Sequence, residues 1–350
     1  MHFTGSNLVR KLVAMSTLAV CAFAAQATFA QCLQQEPLRG VNMAGAEFHS
    51  NHVPGVPNKD YAYPNPVDFD YIRSIGGNVI RLPFRWERVQ PELMKPLDPE
   101  QLKALKSTVE QASRRNLCVI LDVHNYATYR GKKLGSDEVP AEAFEDLWKR
   151  LAHEFDNPAR TILGLMNEPA KIDMAQWAAI AKRTVASLRD DGAKNIILVA
   201  GGRWSGAHEW TRGSPSNGEL FADLKDPLQR TWLEAHQYAD HGFAGIKQQC
   251  VAPERLQRVF ARLTDWAREN HQKLFLGEFG VAANDECLAA LDAMLAGVDD
   301  AEVWRGWTYW AMGRWWNKYP MSIQPQDGRD APQTAVLRKY LARSGTIDGT

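Results

Sequence analysis

The chain has 350 residues, with 41 Lys plus Arg against 41 Asp plus Glu, 45% hydrophobic residues and 23% charged ones. That balance excludes a disordered chain, which is poorer in apolar residues. It also excludes a nucleic-acid binder, because no net positive field exists to meet phosphates. Aromatic residues are abundant: 12 Trp, 13 Phe and 9 Tyr, with every Trp at or beyond Trp86. An indole N–H needs a partner when buried, so packing and stacking on a flat ligand are both open readings for the Trp set.

Residues 1–30 read as a secretory signal peptide. Arg10 and Lys11 precede an uncharged apolar run over residues 12–25, and small residues follow, with cleavage expected after Ala27 or Ala30. The run is shorter than the ~20 residues of a spanning helix. Cleavage after Ala30 leaves 320 residues with 39 basic and 41 acidic side chains, a net charge of −2. Residues 31–350 are expected to form one exported, monomeric catalytic domain, free of membrane after cleavage. Export permits disulfides. Cys250 and Cys287 lie in polar, loop-like contexts and are expected to pair, closing a loop that stabilises the fold by roughly 3–4 kcal/mol. Cys118 falls in the apolar run 117–123 and reads as a buried free thiol, which leaves Cys32 without an evident partner.

Short apolar runs of strand length follow in order over residues 40–44, 78–82, 118–124, 161–167, 195–200, 232–236, 274–278 and 303–310. Amphipathic helical segments over 99–115, 141–155, 174–190, 253–270 and 286–296 fill gaps between them. Strands alternating with helices predict parallel β/α units. Eight units in about 320 residues predict a closed (β/α)8 TIM barrel of the α/β class. A doubly wound open sheet is the alternative, and no G-x-G-x-x-G turn supports its dinucleotide-binding form.

The strand ends carry the chemistry. The second run holds Arg81. The third ends Asp122-Val123-His124-Asn125-Tyr126, the fourth Asn167-Glu168-Pro169, the sixth His236-Gln237-Tyr238, the seventh Gly277-Glu278-Phe279-Gly280 and the eighth Trp307-Thr308-Tyr309-Trp310. In a barrel these ends open on one face, which holds the active site. Two carboxylates at one mouth are what glycoside hydrolysis needs. One gives a proton to the leaving oxygen and the other attacks the anomeric carbon, so their environments must differ. Arg81 and the Tyr238 hydroxyl suit Glu278 to the nucleophile's role, by charge and by hydrogen bonding. Glu168 then serves as acid and later as base. Asn167 is placed to meet the sugar 2-hydroxyl.

These residues resemble glycoside hydrolase family 5, in particular its fifth subfamily of endo-β-1,4-glucanases, from residue 39 to about 319. Arg39-Gly40-Val41-Asn42 looks like the family's first strand, and Lys59-Asp60-Tyr61-Ala62-Tyr63-Pro64 resembles a subfamily loop. The family's Arg, His, Asn-Glu pair, His-x-Tyr, nucleophile and eighth-strand Trp fall on Arg81, His124, Asn167, Glu168, His236, Tyr238, Glu278 and Trp310. Gly202-Arg203-Trp204-Ser205-Gly206-Ala207 resembles a fifth-strand loop whose Trp lines the cleft. The resemblance implies a retaining endo-β-1,4-glucanase with Glu168 as acid/base and Glu278 as nucleophile, acting on a β-glucan with no cofactor and no metal. The loop Phe279-Gly280-Val281 departs from the family in having less glycine. A β-mannanase or a mixed-linkage or branched β-glucanase on the same scaffold stays open.

Blander readings accompany each residue. Arg81 alone could be a structural ion-pair partner, and either His a satisfied structural one. Asp122 shares a strand face with His124 and reads as support behind it, while Tyr126 reads as a substrate contact. His49 and His52 lack a third metal ligand. Trp148, Trp177, Trp232 and Trp266 read as packing. Trp86, Trp204, Trp210, Trp315 and Trp316 follow strand ends and read as cleft or rim residues.

Overall fold

The computed structural model describes residues 1–2, 32–35, 37–316 and 318–341. Nearly all of the expected signal peptide, residues 3–30, lies outside the described residues.

Eight strands close a parallel barrel: β1 Leu38–Met43, β2 Val79–Phe84, β3 Cys118–Val123, β4 Thr161–Gly164, β5 Ile196–Ala200, β6 Thr231–His236, β7 Leu274–Glu278 and β8 Trp304–Met312. Each pairs with its sequence neighbours, and β8 returns to β1 with Leu38 opposite Gly306 and Val41 opposite Tyr309. The ring is the (β/α)8 TIM barrel that the strand–helix alternation predicts. A helix follows every strand: α1 Pro66–Ser74, α2 Pro99–Ser113, α3 Ala141–Glu154, α4 Met174–Asp190, the one-turn α5 Asn217–Phe221, α6 Pro253–Glu269, α7 Asp285–Gly297 and α8 Pro332–Leu341. Asp98, Asp173 and Asn284 each cap a helix by accepting the backbone N–H three residues on, at 2.9, 2.9 and 3.0 Å. Pro99 and Pro253 occupy the first turns of α2 and α6, where a missing N–H costs nothing.

Strands buried on both faces need apolar residues at every position below the mouth, and Val119-Ile120-Leu121 and Ile196-Ile197-Leu198-Val199 supply them. One alternate set, with Leu38, Val79, Cys118, Ile120, Ile162, Ile196, Leu198, Trp232 and Phe275, fills the barrel interior. The other set packs outward under the helices. Trp148 of α3 and Trp177 of α4 donate from Nε1 to the carbonyls of Leu165 and Ala200, at 3.0 and 2.7 Å. These helix-borne indoles therefore pack and satisfy strand-end carbonyls together.

Four readings of the sequence need correction or addition. Cys118 is not a free thiol: it is bonded to Cys32, with their Cα atoms 5.5 Å apart. Cys118 opens β3 at the closed end of the barrel, and the N-terminal segment crosses that end, which brings the two together. Cys250 and Cys287 form the second disulfide. Trp86 and Trp210 are fully buried, not rim residues. Trp86 packs against Tyr129 and Phe144, and Trp210 against Trp266, because the loops above β2, β3 and β5 build small apolar layers of their own. A two-stranded ribbon, Thr128–Tyr129 with Lys132–Lys133, lies in the β3–α3 loop, where no strand is expected from the sequence.

Candidate active site

At the open end of the barrel Arg81 is the hub. It is fully buried. Its Nη1 donates to Glu278 Oε1 at 2.8 Å and to Asn42 Oδ1 at 2.9 Å, and its Nη2 donates to Asn167 Oδ1 at 2.8 Å. Asp122 lies 3.1 Å from Nη2 and Glu234 lies 2.9 Å from Nε. One guanidinium thus touches residues from five strand ends, a use of its rigid fork of donors that Lys could not copy.

Glu278, the last residue of β7, receives a second donor: the Tyr238 hydroxyl, 2.9 Å from Oε2. Glu168 follows β4. Its Oε1 meets His236 Nδ1 at 2.9 Å. The same Nδ1 is 3.7 Å from Glu278 Oε2, and the ligand atoms of Glu168, His236 and Glu278 all lie within 4.8 Å of one another. The structure therefore brings the two carboxyl groups together with His236 between them. These three are the converging set of metal-type ligands among the described residues. A cation there would meet the Arg81 guanidinium, and the Tyr238 O–H already aims at the same carboxylate.

His124 stands opposite. Its Nδ1 is 2.8 Å from Asp122 Oδ2, and Tyr126 OH is 3.2 Å from Nε2. Its ring stacks on Trp310, centroids 5.6 Å apart and planes 16° apart. Trp310 meets Trp316 edge-on, and Trp316 stacks on Tyr319 at 4.3 Å and packs against Phe48. These rings wall one side of the mouth. On the other side of Glu168 lies a cleft of about 680 Å³, lined by Trp204, His208, His236, Tyr238 and Phe243 among others. Trp204 is 60% exposed. Arg203, Trp204 and Ser205 all adopt left-handed φ, as do Glu168, Tyr126 and Ala127. Non-glycine residues in that region store about 1–3 kcal/mol each, and they gather at this mouth.

Electrostatics separates the two histidines. Burial pushes His124 down to about 3, Glu278 opposes, and the Arg81 and Arg85 charges add to the fall. The ring is neutral, and its network assigns the proton to Nδ1, facing Asp122. Burial also disfavours the charged His236, but Glu278, Glu168 and Glu234 overcome it and push it up to about 10. Burial raises Asp122 to about 7 against the pull of Arg81. Burial works against the Glu234 carboxylate too, yet Arg81 and His236 hold its pKa below the ordinary value. Burial and the Glu278 charge keep the Tyr238 phenol protonated, so it remains a donor.

All eight matched residues, with Tyr126, meet at this mouth. Trp204 edges the adjoining cleft. Asn42, Glu47 and Glu234 join them without having been singled out from the sequence. The signal for Glu234 was present: it stands two residues before His236 on β6 and so shares its face, as Asp122 does with His124. His49 and His52, by contrast, face Asp60 in an exposed loop, through its carbonyl at 2.6 Å and its Oδ1 at 2.9 Å, and touch none of the eight matched residues in these bonds.

Comparison with known proteins places the chain in a family. The model of the cellulase family, glycosyl hydrolase family 5, matches residues 39–315. A probable endo-beta-1,4-glucanase B of Aspergillus oryzae is 30% identical over 306 residues, 86% of this chain and 90% of that protein. Among solved structures, an endo-beta-1,4-glucanase from Xanthomonas axonopodis pv. citri is 41% identical with a TM-score of 0.86, covering 88% of this chain and 99% of its own. XacCel5A in complex with cellopentaose is 48% identical with a TM-score of 0.85, covering 87% and 99%. The chain belongs to glycosyl hydrolase family 5, the cellulase family, and is a glycoside hydrolase.

Proposed function

We propose that the protein is a secreted, retaining endo-β-1,4-glucanase that cleaves internal bonds of a cellulose-type chain. The observation that carries this reading is the pairing of Glu168 and Glu278, a carboxylate oxygen of each lying within 4.8 Å of the other. Retention needs carboxyl groups ~5–5.5 Å apart, whereas inversion needs ~6.5–9.5 Å to admit a water. The substrate class rests on the relatives named as endo-beta-1,4-glucanases and on the one solved with cellopentaose. Export is supported by two disulfides, which persist in oxidising compartments.

The reaction divides the residues as follows. Glu278 attacks the anomeric carbon while Glu168 gives its proton to the leaving oxygen, and the aglycone departs through the cleft beside Trp204. Water then enters, Glu168 takes its proton, and the bond to Glu278 breaks. Arg81 and Tyr238 hold both Glu278 oxygens in place for attack. Among the described residues, the buried Asn167 Nδ2 has no hydrogen-bond partner. Such an orphan donor at a mouth fits a sugar hydroxyl, and the interaction strengthens toward the transition state.

The test is a pair of variants assayed on cello-oligosaccharides. Glu278→Gln is expected to bind them normally and to lose at least about 10³-fold in turnover. Glu168→Ala is expected to regain activity with azide and to release a β-glycosyl azide. Full activity in Glu278→Gln, or an α-configured product, overturns the reading. Parallel assays on mannan, lichenan and xyloglucan settle the substrate.

A further inference from the structure

Glu234 has no part in the two-carboxylate chemistry, yet it is fully buried on β6 at the centre of the site. A buried carboxylate is expensive unless its charge is matched on both sides. Here Oε1 lies 2.9 Å from Arg81 Nε and 3.2 Å from His236 Nε2. The neighbouring strand makes room for it. A Cβ at residue 277 would sit 1.9 Å from Glu234 Oε1, so the glycine beside the nucleophile is what admits this carboxylate. His236 then spans from Glu234 at one ring nitrogen to Glu168 at the other, at 2.9 Å.

We propose that Glu234 is a positioning residue for the reaction, holding His236 as a charged ring whose Nδ1–H points at Glu168. The proposal rests on Glu168 being the acid/base. In the first half-reaction Glu168 loses its proton to the leaving oxygen and is left as a carboxylate. The His236 Nδ1–H donates to that carboxylate until an incoming water supplies the next proton. His236 keeps its own protons throughout, so the proton count closes with Glu168 alone. If Glu234 lost its charge, the ring would carry a proton less readily, and Nδ1 would compete for the proton of Glu168 instead of stabilising its anion.

The groups facing His236 are Glu168 after β4, Glu278 on β7, Glu234 and Tyr238 from its own strand and loop, Arg81 on β2, and Asp122 and His124 on and after β3. The three glutamates raise its pKa to about 10 against the cost of burial. Arg81 retains Asp122, Glu278, Asn42 and Asn167 as partners when Glu234 is neutralised. The nucleophile's own setting is therefore kept.

The experiment compares wild type with Glu234→Gln, reading the pH profile of kcat/KM on cellopentaose and the 15N NMR titration of the His236 ring. The alkaline limb and the His236 titration are expected to move down together by about one pH unit or more. In the same variant kcat is expected to drop roughly tenfold with KM little changed. An unmoved limb, or a His236 ring that titrates at the same pH in both proteins, overturns the proposal. The wild-type titration alone is also decisive: a ring already neutral at pH 7 overturns it even if the variant does not fold. Glu168→Gln, assayed in parallel, separates the two readings. Full activity there removes Glu168 as acid/base, while the His236 titration still reports on Glu234.

Discussion

Single side chains at the mouth pay for their placement in different ways, and Glu47 shows one that the reaction does not explain. It follows β1, is buried, and takes the Gly45 N–H on Oε2 at 2.7 Å, while Oε1 has no hydrogen-bond partner among the described residues. Burial pushes its pKa from 4.5 up to about 8, and the charges of Asp122 and Glu278 add to the rise. The unfolded chain thus releases this proton near 4.5 and the folded chain only near 8. Between those values the native state binds more protons, so stability falls as pH rises through the window and levels off above it. Glu47→Gln removes the penalty while keeping the acceptor for Gly45. Its melting temperature is expected to equal wild type near pH 4.5 and to exceed it increasingly toward pH 8. Across that window each unit of pH widens the gap by about 1.4 kcal/mol at most. Thermal unfolding across the range checks this, and a gap independent of pH would show that Glu47 is ionised in the fold.

The two disulfides tie different elements, so cutting them should do different things. Cys32–Cys118 closes a separation of 86 residues at the closed end of the barrel, where Cys32 and Leu33 seal the interior layer. Replacing both with Ala is expected to cost about 4–5 kcal/mol in urea unfolding and to leave kcat and KM unchanged, since the active mouth is at the other end. Cys250–Cys287 spans 37 residues and anchors the loop after β6 to the start of α7. That loop carries Tyr238 and Phe243, so its cleavage is expected to raise KM as well as to cost about 4 kcal/mol. The sequence already marked the barrel strands and their polar ends, because alternation along a strand and helical periodicity are local signals. It could not mark Cys32 as the partner of Cys118, since that pair exists only once the barrel has closed. Trp86 and Trp210 escape a local reading for the same reason. Their loops bury them against residues far off in sequence, Phe144 for one and Trp266 for the other. At the site, Glu234 was legible by its two-residue offset from His236, whereas the orphaned Glu47 carries no local pattern at all.

Across the whole molecule two populations of charge stand in contrast. The sequence carries equal numbers of acidic and basic residues, and many of them pair across exposed helix faces, as Arg183 does with Glu142 and Lys182 with Asp223. Such pairs contribute little and are screened by salt. The mouth holds the other population: Arg81, Asp122, Glu234, His236 and Glu278, all buried and in mutual contact. Their interactions lie within a few ångströms, well inside a screening length of about 10 Å at 0.1 M salt, and little solvent reaches them. A neutral glucan offers no charge for the surface to steer. Raising salt from about 0.02 to about 0.5 M is therefore expected to change kcat/KM on cellopentaose by less than about twofold. On carboxymethyl-cellulose, whose charges meet the surface as well as the mouth, the same change is expected to have a larger effect. Steady-state rates on the two substrates over one salt series check both statements. An equal salt dependence on cellopentaose would mean that the mouth's charges are open to solvent and that the buried network around Arg81 does not persist during turnover.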